Sequence, residues 1–208
     1  MITPAGESLA SFQNRVHWTT LTFLDKVQHM KLLLIFSAFL VASAPALAGG
    51  AKAVNFSAIP NVALYPKTEV IHGFTLSLWG ENEQTSLALG LVNGLTGNSS
   101  GLALGVFNYS DNYTGAQLGF FNWARKNTTG LQGAFANYTA GVLHGAQVGI
   151  VNVAGKLRGL QLGFVNYAQS AENGIQVGFV NVLMQTTGWF SEFPKNVAPV
   201  MLFANWRF

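Results

Sequence analysis

The residues best suited to acid–base or nucleophilic chemistry surround one short alternating segment. His72 lies just before this segment and Ser77 lies within it, while Glu69, Glu81 and Glu83 flank it. A Ser–His–acid set would give a nucleophilic hydrolase, for example one that acts on envelope lipids. Residues five apart on a continuous strand point to opposite faces, however, so we do not expect His72 and Ser77 to pair. An envelope lipid hydrolase is therefore only an outlying alternative, and we expect no enzyme activity.

No other set of residues has the spacing of a metal, cofactor or phosphate site. His144 is isolated, His, Asp and Glu form no cluster with ligand spacing, and the absence of cysteine excludes disulfides and thiolate ligands. Glycine is frequent, but neither the Gly-x-Gly-x-x-Gly pattern nor the phosphate-loop pattern occurs. The net charge of +3 is too small to indicate nucleic-acid binding. We predict no catalytic, cofactor-binding or metal-binding residue and no nucleic-acid partner, and the sequence identifies no ligand.

The N-terminal region has the pattern of an exported protein. Residues 30–48 read MKLLLIFSAFLVASAPALA, with a basic start, a short apolar run and an Ala-Leu-Ala cleavage site. This pattern predicts a secretory signal peptide, because the apolar run is too short for a membrane span. Residues 1–29 then form an upstream extension, which suggests a misassigned start, and residues 49–208 form a single mature β domain. Whether translation starts at Met1 or Met30 stays open.

A tandem repeat of 14 or 15 residues fills the segment 86–182. Each copy follows the pattern Gly-x-Gln-x-Gly-x-x-Asn, and the seven repeat asparagines are spaced by 15, 14, 15, 15, 14 and 15 residues. They are Asn93, Asn108, Asn122, Asn137, Asn152, Asn166 and Asn181. A strand of about nine residues plus a turn of about five fits this period, and the residues within each copy alternate as strands do.

The alternation assigns two different faces to each strand. In the sixth copy, one face carries Leu160, Leu162, Phe164 and Asn166. The opposite face carries Gly159, Gln161, Gly163, Val165 and Tyr167. All charged residues of the region fall in the connecting segments, so both faces are uncharged. We interpret Gly163, Gln161 and the seven repeat asparagines as structural repeat residues.

Two resemblances extend this interpretation. The last residues, VMLFANWRF, alternate and end on an aromatic residue, as in the closing strand of bacterial outer-membrane barrels. That resemblance implies a closing strand over residues 200–208, with Trp206 and Phe208 as an insertion signal. The repeat itself resembles the tandem G-L-Q-L-G-L-V-N surface repeats of leptospiral and other Gram-negative exported proteins. It implies an outer-membrane or cell-surface location and no chemistry.

Two all-β architectures satisfy the pattern. The first, which we expect, is an antiparallel up-and-down outer-membrane barrel of about ten strands, whose lipid-facing residues would include Leu160, Leu162 and Phe164. The second is a β-solenoid with one coil per repeat, in which equivalent residues stack as ladders. The low charged fraction of 9%, against about 25% in ordinary soluble domains, favours the barrel.

The two architectures give two functional expectations. The barrel would be a structural protein of the outer membrane, with membrane lipid and the outer-membrane insertion machinery as partners. The solenoid would be a surface-exposed binding or adhesion module. The sequence does not settle whether chains associate.

Overall fold

The computed structural model describes residues 52–186 and 188–208. The predicted upstream extension and the predicted signal peptide, residues 1–29 and 30–48, lie outside the described residues. Among the residues described, no helix is long and apolar enough to cross a membrane. The described residues are all in strands, turns and irregular segments.

The strand structure continues through several successive repeats without a break. The two longest elements, β4 and β7, each contain several repeats. In chain order the elements are β1 (Val54–Ile59), β2 (Val62–Ala63), β3 (Val70–Ile71), β4 (Phe74–Leu118), β5 (Phe121–Ala124), β6 (Thr128–Gly133), β7 (Ala136–Leu183) and β8 (Val200–Arg207).

Neighbouring repeats pair in parallel, which makes the fold a β-solenoid. Asn108 is opposite Asn122, and Asn122 is opposite Asn137. On the other side of the coils, Gln117 is opposite Gln132, and Gln132 is opposite Gln147. All pairings among β4, β5, β6 and β7 are parallel. The prediction of an antiparallel barrel is therefore wrong, and its solenoid alternative is confirmed together with the tandem repeat. An up-and-down barrel requires alternating strand directions, whereas here each repeat completes one coil and returns to the same starting side.

The interior of the coils is formed by amides and small side chains rather than by the large apolar residues. Gln161 and Asn166 are fully buried, and so is Ala168, whereas Phe164 is 55% exposed. The predicted pairing of Asn166 with Leu160, Leu162 and Phe164 on one face is wrong. Strict alternation fails at a corner, because Phe164 and Val165 both lie outside the coil and shift the phase before Asn166.

Glycine permits two features that recur in most coils, a turn with positive φ and a close approach to the preceding coil. The glycine seven residues before the repeat Asn has positive φ, as at Gly130 (122°) and Gly145 (139°), a conformation that favours glycine. The glycine three residues before the Asn packs against the preceding coil. At Gly149 an added Cβ would lie 2.0 Å from the Ala134 carbonyl oxygen and 2.8 Å from Asn137 Nδ2. Close coil stacking therefore depends on these two glycines.

Other strands cover the two ends of the solenoid. At the N-terminal end, β1 pairs in parallel with the start of β4. At the C-terminal end, β8 pairs antiparallel with the last coil, so that Gln176 is opposite Asn205 and Asn181 is opposite Met201. The predicted strand over residues 200–208 thus exists as Val200–Arg207, but it lies on the last coil of a solenoid. An antiparallel strand here occupies the backbone groups that another parallel coil would otherwise pair with.

Candidate binding surface

The repeat asparagines form an unbroken hydrogen-bonded ladder inside the solenoid. Each Nδ2 donates to the Oδ1 of the next Asn at 2.8–2.9 Å, from Asn93 through to Asn181. Most also donate to a backbone carbonyl of the next coil, as Asn152 does to the Leu162 carbonyl at 2.9 Å. Each Asn thereby satisfies a carbonyl at the corner where the chain turns, which a side chain without an amide would leave unpaired.

A second ladder, made of glutamines, runs in the opposite hydrogen-bond direction. Gln132, Gln147, Gln161 and Gln176 each donate from Nε2 to the Oε1 of the preceding Gln, at 2.8–2.9 Å, and the series begins at Gln117. All five are fully buried. The seven asparagines and Gln161, interpreted from the sequence as structural repeat residues, make these contacts inside the solenoid. The amide groups of these residues are hydrogen-bonded to one another inside the solenoid. The residues therefore support the outer surface but do not themselves contact a partner.

The glutamine ladder stops before the first two repeats, where the core changes composition. The equivalent positions are Ala88 and Ala103, and Tyr113 packs with them and with Leu95 in a small buried cluster. Burial raises the pKa of the Tyr113 hydroxyl above its usual value. A buried tyrosine thus fills the space that the shorter alanines leave.

The outer surface carries columns of mostly large apolar side chains that run along the stacked coils. Positions six, four and two residues before the repeat Asn point outward, and we call this strip the leucine face. Its most exposed column contains Leu91, Val106, Phe120, Phe135, Ile150, Phe164 and Phe179, which are 47–56% exposed. Phe120 stacks on Phe135, and Phe164 stacks on Phe179, with ring centroids 5.1 and 5.0 Å apart.

Two further strips complete the circumference of the coil. The aromatic face consists of the residues directly before and after each repeat Asn, such as Phe121 and Trp123 or Ala136 and Tyr138. The polar side consists of positions three to six after the Asn, and it holds every charged residue of the segment 86–182. These are Asp111, Arg125, Lys126, Lys156, Arg158 and Glu172. The circumference therefore runs from purely apolar, through Trp and Tyr, to charged.

Ion pairs on the polar side join adjacent coils. Arg125 Nε lies 3.0 Å from Asp111 Oδ1, and Glu172 pairs with both Lys156 and Arg158. Hydrogen bonds from Lys156 and then Arg158 lower the pKa of Glu172 to about 2. These ion pairs are exposed to solvent, and exposed pairs of this kind contribute little to stability.

The structure does not bring the residues first considered for catalysis together. His72 Nδ1 contacts Thr85 Oγ1 at 3.0 Å, while Ser77 is buried and its hydroxyl has no hydrogen-bond partner within residues 52–186 and 188–208. His144 is exposed and pairs in register with Thr129 of the preceding coil. Within the same described ranges, no group of three or more acidic or histidine residues is placed to hold a metal ion.

Of the proposed insertion signal, Trp206 lies on the terminal strand β8 and Phe208 follows its last residue. Trp206 Nε1 donates to the Pro194 carbonyl at 3.0 Å, and Phe208 is 60% exposed. Nothing in the contacts of these two residues assigns them a recognition role, so the insertion signal stays a prediction.

Sequence reasoning found the repeat but missed the surface. It assigned Gln161 to the face opposite the lipid-facing Leu160, Leu162 and Phe164 of a barrel, whereas the glutamines form the core of a solenoid. A usable signal was present, because Gln and Asn recur at fixed positions in nearly every copy while the outward positions vary among Leu, Val, Ile and Phe. Invariant amides between variable apolar residues are the pattern expected of a stacked amide core.

A scan against protein-family models and searches of curated proteins and of solved structures found no match to the chain.

Proposed function

We propose that the chain is an exported, non-catalytic β-solenoid that binds a lipid surface through its leucine face. The observation that carries this proposal is the inverted distribution of side chains, with amides inside and uncharged apolar columns outside. Seven coils about 4.8 Å apart, with outward residues spanning about 16 Å, give the leucine face an area of roughly 500 Å². The largest apolar patch on a typical soluble monomer is about 300–600 Å², and here the aromatic face adjoins the leucine face directly.

The order of the strips supports lipid as the occupant. In a protein that lies in a membrane interface, apolar residues enter the acyl region, Trp and Tyr lie at headgroup depth, and charges remain in water. On one side of the leucine face the solenoid has this order: Trp123 and Tyr138 on the aromatic face come next, and Arg125 and Lys126 on the polar side follow. The export signal predicted over residues 30–48 is compatible with an envelope membrane as the site of action.

Vesicle flotation tests this proposal with two matched variants. Phe120 and Phe135 are half-exposed neighbours on the leucine face, and burying the remaining half of each is worth about 1–1.5 kcal/mol. We expect Phe120→Glu with Phe135→Glu to weaken binding to phosphatidylcholine–phosphatidylglycerol vesicles roughly 30- to 150-fold, before any cost of the added charge. The control is Thr114→Glu with Thr129→Glu, which adds the same charges at exposed, register-paired positions outside the leucine face.

Two results would contradict the proposal. One is a wild-type protein that remains at the bottom of the gradient at every vesicle concentration. The other is a loss of flotation that is equal in the two double variants, because this would make the effect one of charge and not of the leucine face. Sedimentation without vesicles gives the state of association, and a dimer that dissociates only in the phenylalanine double variant would show that a second copy covers this face.

A further inference from the structure

The aromatic face contains a groove where one column of side chains becomes small. Phe107 and Phe121 precede the Asn in two successive coils, but Ala136 takes the same position in the next coil and Val151 follows. On the other side of the ladder, Trp123 and Tyr138 stand side by side with ring centroids 6.1 Å apart. These residues line a groove of about 320 Å³.

The groove is long, open and apolar. It crosses the coils of Phe107, Phe121, Ala136 and Val151, which at about 4.8 Å per coil gives a length of roughly 14 Å. The two polar residues in its lining, Asn122 and Asn137, direct their amide groups into the buried ladder. A ligand in the groove therefore meets hydrocarbon and aromatic rings but no free hydrogen-bonding group, and a flexible linear chain fits this shape better than a rigid polar ring.

Two cations lie on the coil that carries Trp123. Arg125 is two residues beyond Trp123 on the outward side, and Lys126 follows it as an exposed residue. Arg125 uses Nε to contact Asp111 at 3.0 Å, while its side chain stays half exposed. Asp111 pairs with Arg125, whereas Lys126 is exposed, so these two cations together retain a positive charge that favours an anionic group.

We propose that this groove binds a single acyl chain whose anionic head lies at Arg125 and Lys126. The acyl chain replaces water over Ala136 and between the neighbouring aromatic rings. The guanidinium group of Arg125 pairs with the anionic head of the ligand. The inference rests on the proposed function for the source of the ligand, since a membrane supplies such chains. A free fatty acid and the acyl chain of an anionic lipid share this chemistry, and separate arms of the test distinguish them.

The test uses fluorescence quenching by bromine-labelled fatty acids below their micelle concentration. Trp123 lines the groove, whereas Trp79, Trp189 and Trp206 are not among its lining residues. We expect saturable quenching of the wild type, and loss of the quenched component in Trp123→Phe. Affinity should increase about fourfold for each added methylene until the groove is full, and then stop increasing.

Filling the groove supplies the decisive variant. Ala136→Phe introduces the side chain that two preceding coils already carry at this position, and we expect at least a tenfold loss of fatty-acid affinity. Ala136→Leu is a milder second variant with the same expected direction. The matched control is Val165→Phe, which adds a phenyl ring at the same repeat position outside the groove and should change affinity less than twofold. Arg125→Gln should weaken the fatty acid several-fold and leave the uncharged alcohol of the same length unaffected.

The outcomes separate this inference from the proposed function. Quenching that survives in Ala136→Phe, or affinity that does not depend on chain length, overturns the groove proposal. Binding of a neutral oligosaccharide in place of the fatty acid also overturns it. If Ala136→Phe loses fatty acid but still floats with vesicles, the ligand is a free fatty acid. If it loses both, the acyl chain of a membrane lipid is the ligand. Fatty-acid binding by a protein that never floats overturns the proposed function alone.

Discussion

Replacing one buried glutamine by glutamate tests the amide core through its pH dependence. Gln147 is fully buried, and its Nε2 donates to Gln132 Oε1 at 2.8 Å and to the Val153 carbonyl at 3.1 Å. In Gln147→Glu the second carboxylate oxygen replaces that donor and faces two acceptor oxygens. Gln161 Nε2 still donates to this side chain, whereas the Thr139 hydroxyl, 3.5 Å from the replaced nitrogen, donates to Gln132 Oε1.

The size of the effect follows from the cost of burying the charge. Desolvation and the two facing oxygens favour the neutral acid, and fully buried carboxyls of this kind have pKa values raised by about 3–5 units. With a folded-state pKa at or above 7 and an unfolded value of about 4.3, stability falls by about 1.4 kcal/mol for each pH unit above 4.3. The carboxylate therefore costs about 4 kcal/mol at pH 7, and this cost is absent below pH 4, where both states are protonated. A loss of about 1 kcal/mol for the missing hydrogen bond applies at every pH.

Urea unfolding at pH 4 and pH 7 measures this difference, and Val148→Glu is the control. Val148 is the next residue along the chain but is 43% exposed, so a carboxylate there stays hydrated. We expect Val148→Glu to change the free energy of unfolding by no more than about 0.5 kcal/mol at either pH. Equal and small effects of the two variants at both pH values would refute the amide core, and a large effect confined to Val148→Glu would show that the faces are reversed.

Two further predictions concern coil stacking and the polar side. Gly149→Ala should destabilise the fold by about 2 kcal/mol or more in the same urea assay, since its Cβ would clash with a backbone carbonyl oxygen, whereas Gly133→Ala should be mild because its Cβ meets only a leucine methyl group. Similar costs at the two positions would contradict the stacking geometry. Because Lys156 and then Arg158 depress the pKa of Glu172 to about 2, its stabilising contribution is present above the ordinary value of about 4.5 and is lost as pH falls through 2. Lys156→Met should raise that pKa in a carboxyl NMR titration, and an unchanged pKa would refute the ion pair.

The repeat period and its key residues could be predicted from the sequence, because they recur at fixed intervals. Asn166 and its six equivalents are recognisable from spacing alone, and so is the uncharged character of the strands. The direction of pairing could not be predicted, since a parallel coil and an antiparallel hairpin both suit a strand of about nine residues followed by a short turn.

The inside and outside of the coil were harder to predict for a different reason. A hydropathy argument places Leu162 and Phe164 in the core and Gln161 outside, but a solenoid this narrow has room for flat amides that hydrogen-bond along the axis. The ladder pairs each copy of Gln161 with its neighbours, which no isolated buried glutamine would achieve, and among the described glutamines of the ladder the Oε1 of the last one, Gln176, is left without a partner. The groove at Ala136 was equally hidden, because it exists only through the side chains that stack above and below it.

Engineered disulfide formation between adjacent coils tests the parallel stacking most directly. The chain contains no cysteine, and Thr114 and Thr129 are exposed Cα partners in register. In the solenoid they lie about 4.8 Å apart, within the range that a disulfide spans. In an antiparallel barrel with one strand per repeat, the strand between Thr114 and Thr129 would hold these two residues apart at its opposite ends. We predict that Thr114→Cys with Thr129→Cys forms an intramolecular disulfide under mild oxidation, with the unfolding midpoint maintained or raised. A double variant that stays reduced, or that links only between chains, would contradict the parallel solenoid.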